Sequence, residues 1–338
     1  MVVGERHWRR LGVILALSLV ATIPWIASDF QLFKLAGILV YAIALLGVNI
    51  LTGYNGQISL GHGAFYTLGA YTAAILMVYF AVPHWIALPI AGVVCFAVGA
   101  FFALPVARLE GMHLALATFA LAVVTPQLAN YKGVASWTGG SQGLGLSKFD
   151  VPFGLPLSRD QWVFLLALFV LALSFVLASN LLGGRIGRAI IAIRDQPIGA
   201  QSMGINTTYY KTLTFGISAM YTGVAGALSA LLLAYASPAS IYVSLGFLIG
   251  SAVGGIASLS GAIYGAIFLQ VILFAAGTIA QSTRTPAVLA IYGIVVIAFL
   301  HVLPDGVAGF VNRVAARVRR NAAAPGLALP SEERRVPE

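Results

Sequence analysis

What constrains this chain first is a succession of apolar stretches, most of them long enough to cross a hydrocarbon core about 30 Å thick as a helix. They fall at 11–28, 32–51, 58–80, 86–107, 112–130, 162–182, 212–236, 245–257, 261–281 and 286–303, of which 245–257 is too short to cross comfortably. Backbone polar groups find no water in such a core, so the runs must be helical. Only 9% of the residues are charged, against about 25% in soluble domains, which leaves too little for an ordinary water-facing surface. The expected fold is an all-α integral membrane protein, a polytopic bundle of about ten helices and re-entrant segments over residues 11–303.

The net charge of +9 is not a nucleic-acid signature, because the basic residues sit at the chain ends and in one loop. Arg6, Arg9 and Arg10 put residues 1–10 in the cytoplasm by the positive-inside rule. Six crossings return the chain there at 183–211, and four more bring Arg313, Arg317, Arg319 and Arg320 to the same side. Arg108 and Glu110 fit a small inner turn, and 131–161 lands outside, where Lys132, Lys148 and Arg159 nearly balance Asp150 and Asp160. The tail, 304–338, is cytoplasmic and partly disordered, its Pro- and charge-rich end at 322–338 in particular. The N-terminus resembles a signal peptide with Ala27 and Ser28 near a possible cleavage point, but its apolar run is long enough to span.

The loop at 183–211 carries helix punctuation. Asp195 can cap free N–H groups, Pro197 suits a first turn, and Gly204 can close the helix in the left-handed conformation. The result is a helix of about two turns over 196–203, flanked by Arg185, Arg188, Arg194 and Lys211. Held outside the bilayer between two spans, it is shaped to dock into a cleft on a soluble partner. On shape alone an ordinary basic loop is the alternative.

The stretch at 49–70 is the richest. Gly53, Gly56, Gly61, Gly63 and Gly69 lie among Asn49, Asn55, Gln57, Ser59, His62, Tyr66 and Thr67. Irregular backbone at membrane depth requires protein or a water-filled cavity around it. Asn49, Asn55, Gly56, Gln57, Ser59, Gly61, His62, Gly63 and Tyr66 are therefore candidate pore-lining residues. Close helix packing through small residues accounts for the glycines but not for the amides. Ser59–Tyr66 is partly echoed by Ser258–Tyr264, and 250–265 repeats the glycine interruptions with GxxxG at Gly250/Gly254 and Gly261/Gly265. Paired broken helices point to an inverted-repeat-like arrangement with a translocation site at the repeat interface. His62 taken alone fits a hydrogen-bonded structural histidine better than a ligand.

Other chemistry is scarce. Lys34, in the first turn of its run, can snorkel to the interface. No carboxylate or arginine relay lies inside the spans, so energy must enter from elsewhere. No His, Cys or carboxylate set has metal-ligand spacing, and Cys95 reads as a small core residue. The GGSQG string at 139–143 matches the nucleophile-elbow pattern without the strand–turn–helix context it needs, and Asn206-Thr-Thr208 is a sequon on the cytoplasmic side. There is no P-loop, no catalytic constellation and no cofactor motif.

LTGYNGQISLGHGAFYTLGAY at 51–71, TGGSQGL at 138–144, and the loop from Arg188 to Asn206 together resemble the LivM-type permeases of branched-chain amino-acid ABC transporters, over about 36–309. The resemblance implies a non-enzymatic subunit of a bacterial inner-membrane importer. Its partners would be a LivH-type permease, two cytoplasmic ABC ATPases that bind the ATP, and a periplasmic or lipid-anchored substrate-binding protein. The family's coupling helix maps onto Ile198, Gly199 and Ala200 followed by Gly204, flanked by Arg194, Asp195 and Pro197; the acidic residue of the general pattern is absent. Urea and short-amide permeases share these motifs. A secondary transporter or channel, which needs no ATPase, and a membrane enzyme, which wants clustered His or carboxylates, are the rival classes.

Overall fold

The computed structural model describes residues 18–109, 111–146, 151, 156–239, 241–283, 288–304 and 306–323. Residues 1–10, most of the first run and the tail beyond 323 fall outside the described residues, so the expectations placed there are not addressed. The helices are α1 (Asp29–Val48, continued by a π-helix, Asn49–Tyr54), α2 (His62–Tyr79), α3 (His84–Val106), α4 (Met112–Ala129), α5 (Lys132–Thr138) and α6 (Arg159–Gly183). They are followed by α7 (Arg185–Asp195), α8 (Pro197–Ser202), α9 (Thr207–Leu233), α10 (Ile241–Gly254), α11 (Leu259–Thr283), α12 (Val288–Val302) and α13 (Gly306–Ala323). Leu144–Gly145 and Tyr235–Ala236 form the short antiparallel strands β1 and β2. Seven helical stretches are long and apolar enough to cross a membrane, and the protein is an all-α polytopic membrane protein.

Capping sets where the bundle begins. Ser28 and Ser158 each open a helix with a glutamine three residues on, and their N–H groups donate to Gln31 Oε1 and Gln161 Oε1 at 3.0 and 2.9 Å. Ser158 Oγ also donates to Asp29 Oδ1 at 3.1 Å, so α1 and α6 start side by side and run parallel. Arg159 donates to the Leu231 carbonyl at 2.6 Å, covering the last turn of α9, which runs the other way. The sequence placed these helices at 162 and 212; caps and polar first turns carry them back to 159 and 207.

α9 is the centre, packed against α1, α2 and α3. Small residues permit this. A Cβ on Gly69 would strike the Gly223 carbonyl, one on Gly226 the Tyr66 carbonyl, and one on Gly223 the Cys95 sulfur. Where two backbones touch in this way, dispersion and interhelical contact replace the hydrophobic drive that lipid does not supply. The two GxxxG pairs meet each other: Gly254 faces the Gly261 carbonyl and Gly265 the Gly250 carbonyl, which closes α10 on α11.

Within 131–161 the described residues include α5, a 3-10 turn at Gly140–Gln142 and β1. Within the stretch from 304, Gly306–Ala323 forms the 18-residue helix α13. Gly306, at φ +69, brings the start of α13 against the backbone of 252–255.

Candidate functional site

The 49–70 stretch is a break in a helix, and the break has a definite geometry. α1 continues into the π-helix, and the chain turns at Gly56 (φ +71) and runs irregularly to Gly61. α2 then begins deep in the bundle. His62 at its first position lies 2.8 Å from Ser218 Oγ, on the order of 16 Å along α9 from its start. From there α2 climbs to the end carrying β1 and β2, where Tyr79 donates to the Ser136 carbonyl.

α10 is its counterpart. The Gly63 N–H donates to Ser244 Oγ at 2.8 Å and the Ala239 N–H to Thr67 Oγ1 at 2.8 Å, so α10 also begins at depth. It descends to the opposite end, where the 255–258 turn meets Asn49. Two interrupted helices thus start at adjoining N-termini and leave in opposite directions. The echo between Ser59–Tyr66 and Ser258–Tyr264 has a local cause. Each serine accepts a backbone N–H at a helix start, Gly61 at 3.3 Å and Gly261 at 3.4 Å, but α11 starts at the bundle end and not at depth.

The residues singled out in this stretch have different surroundings. Asn49 is wholly buried; its Nδ2 donates to the Gly255 and Ser258 carbonyls at 3.3 and 2.6 Å, and its Oδ1 accepts the Ala257 N–H at 2.8 Å. It joins the two halves of the chain. Ser218 Oγ donates to the Gly47 carbonyl at 2.7 Å and lies 2.8 Å from Nε2 of the buried His62. That is a structural histidine tying α1, α2 and α9. Ser59 is buried against its own turn, and Gly61 and Gly63 admit the Thr118 carbonyl and Ser244 into contact with the chain. The Asn55 and Gln57 side chains are buried, and neither the Asn55 amide nor Gln57 Nε2 has a hydrogen-bond partner among the described residues. Tyr66 lines a cavity of about 300 Å3.

Thr118, not anticipated from sequence, holds the irregular segment from α4. Its Oγ1 accepts the Leu60 N–H at 2.9 Å while donating back to its own helix. Thr118→Val should lower stability by about 1–2 kcal/mol by leaving that N–H unpaired, whereas Thr118→Ser should melt like wild type; thermal melting in detergent distinguishes them.

At the other end of the break stands the loop at 183–211. It contains two helices where one was expected. α7 turns Ala189, Ile190 and Ile193 inward and its basic residues outward. Asp195 ends α7 and pairs with Arg194 at 2.8 Å. It does not cap α8, whose N-cap is Gln196 and which has no side-chain cap bond. α8 itself, Pro197–Ser202, is shorter than expected and ends at Gly204 with φ +81. The Ile205 N–H donates to the Ala200 carbonyl at 3.0 Å and the Gly204 N–H to the Gln201 carbonyl at 2.9 Å, a Schellman closure. Ala200 is buried, while Ile198 and Met203 are 79% and 85% exposed. Arg194 links the loop to the break: its Nη1 donates to the Gly53 carbonyl at 3.0 Å, and its Cγ lies 2.9 Å from where a Gly56 Cβ would sit.

Residues 32–304 match the family described as branched-chain amino acid transport system / permease component. This chain belongs to that family of permeases. Among curated relatives, the high-affinity branched-chain amino acid transport system permease protein LivM of Escherichia coli K12 is 32% identical over 79% of this chain and 68% of its own length. LivM of Salmonella typhimurium LT2 is 31% identical over the same shares. BraD of Pseudomonas aeruginosa PAO1, a permease protein of the same description, is 25% identical over 68% of this chain and 80% of its own. In this permease no group of three or more His, Cys, Asp or Glu residues converges as a metal site among the described residues.

Proposed function

We propose that this permease is the LivM-like membrane subunit of an ATP-driven importer of branched-chain amino acids in a bacterial inner membrane, with both termini cytoplasmic. Its working complex would hold a second, LivH-like permease, two cytoplasmic ATPases and an external substrate-binding protein. The reading rests on family membership. The observation that carries the mechanism is α8, a short closed helix that projects two large apolar side chains, Ile198 and Met203, from the end of the bundle where the break begins. Exposed apolar groups on a polar, membrane-external loop are what a docking lever needs.

The mechanism follows from what α8 is attached to. Closure of the ATPases would push α8. Arg194 carries the displacement to the Gly53 carbonyl, and Asn49 carries it from the π-helix to the 255–258 turn and so to α10. Both interrupted helices would tilt about their adjoining N-termini. The buried amides of Asn55 and Gln57 offer polar partners to a solute crossing there.

The test is reconstitution of the four-component complex in proteoliposomes with the binding protein outside. Leucine uptake should require internal ATP and all components, and urea should not compete. Uptake by this chain alone would assign it to channels or secondary transporters, and urea-selective uptake would move the substrate class.

A further inference from the structure

At the end opposite α8 the bundle holds a cavity of about 300 Å3, walled by α1, α2, α9, α10 and α11, at the lower edge of the roughly 300–1,000 Å3 that small-molecule sites occupy. Its chemistry is two-sided. Val40, Leu232 and Val243 give it aliphatic surface, while Lys34, Gln270 and Ser237 bring polar groups to the same space.

Lys34 stands near the start of α1 beside two aromatic rings. Its Nζ sits 4.1 Å above the Phe30 ring and 4.7 Å above the Phe274 ring. Among the described residues no carboxylate is paired with this ammonium. Ring faces attract a cation but do not accept its hydrogen bonds as an anion would. One turn along α1, Gly37 leaves room for the Gln270 amide, whose Nε2 lies 3.1 Å from where a Cβ would stand. Tyr41 and Tyr66 line the cavity, and behind them Phe247 of α10 packs edge-on between the two, with centroids 5.4 Å apart in both pairs. The rim is Tyr235, whose hydroxyl donates to the Gln142 carbonyl and so ties the TGGSQGL segment to the cavity mouth.

We propose that this cavity is an entry site for a zwitterionic amino acid with an aliphatic side chain, in which Lys34 receives the carboxylate. The α-ammonium would meet uncharged acceptors, Gln270 Oε1 and the Ser237 hydroxyl, since the lining contains no carboxylate. The side chain would lie on Val40, Leu232 and Val243. Because α10 lines the cavity with Val243 and packs Phe247 against Tyr41 and Tyr66, release inward would move this half-helix. The assignment rests on the amino-acid importer reading above and adds to it a site and a charge.

The experiment uses the full complex in nanodiscs of phosphatidylcholine, with Cys95→Ser and Ala239→Cys, and labelling of residue 239, a lining position without an assigned ligand contact, by a small thiol reagent read by mass spectrometry. Leucine should slow labelling about tenfold, the scale of one charge-assisted contact, and leucinamide and urea should not. Lys34→Gln should remove the protection and Lys34→Arg restore it. Equal protection by leucinamide, protection that survives Lys34→Gln, or protection that appears only when anionic lipid replaces leucine would each overturn the site. The importer reading fails separately, if the complex with an unmodified permease does not take up leucine at all.

Discussion

ATP-driven uptake should be abolished by Gly204→Val while the protein still reaches the membrane in normal amount. Nothing lies within 4 Å of a Cβ built at this position, so steric crowding by neighbours is not the cause. The cause is the backbone: φ is +81, where a β-branched residue is a severe outlier, at a cost of at least about 1–2 kcal/mol. A helix of six residues has little stability of its own and depends on its closure. Losing the bonds from Ile205 to Ala200 and from Gly204 to Gln201 would let Ile198 and Met203 swing independently. Gly204→Asn should keep most of the transport, because Asn tolerates the left-handed region. The measurement is leucine uptake and binding-protein-stimulated ATPase activity in proteoliposomes, beside membrane abundance. Full uptake by the Val variant would remove the lever from the mechanism.

Gly204 also shows what local rules can and cannot reveal. A glycine after a short polar helix needs only its own conformation to be interpreted, and its left-handed turn was legible from sequence. Asp195 was misread by the same rules. An acid before Pro197 looks like a cap, but α7 runs through it, and the neighbouring guanidinium of Arg194 binds its carboxylate. The signal for α7 was present in the spacing of Ala189, Ile190 and Ile193, but it is short and was submerged in a basic stretch taken as loop. Among the described residues most apolar runs lie within a few residues of a helix, because length against a bilayer is a strong constraint. Depth was not legible. Nothing in the residues of α2 says that it begins halfway along α9; that follows from contacts with Ser218 and Ser244, far away in sequence.

The same limit governs the amides. Asn49, Asn55 and Gln57 look alike in a glycine-rich stretch, and sequence alone placed all of them along a pore. Pairing separates them. Asn55 and Gln57 carry buried polar atoms with no partner among the described residues, whereas the side-chain bonds of Asn49 cross to residues more than two hundred positions away.

Asn49→Leu should therefore act on stability before it acts on transport. It removes two donated bonds and one accepted bond at a site with no exposure, leaving the carbonyls of Gly255 and Ser258 and the N–H of Ala257 without that partner. At about 1–3 kcal/mol for the buried Gly255 carbonyl and toward the lower end for the part-buried groups of Ala257 and Ser258, the loss is on the order of 3–6 kcal/mol. Ala257 sharpens the effect, since it holds φ +60 without being glycine and its N–H is fixed by Asn49 Oδ1. The bond is part of what keeps the turn in that conformation. A longer amide offers no escape, because a Cβ on Gly53 would already touch Asn49 Oδ1 and a bulkier group would press on the same backbone. The variant should show a sharply lowered melting temperature in detergent. Against a Cys95→Ser background, Asn49→Cys should stay inert to small thiol reagents while Asn55→Cys reacts. A wild-type melt together with a reactive thiol at 49 would make this residue a pore wall, and the two halves of the permease would then need another joint.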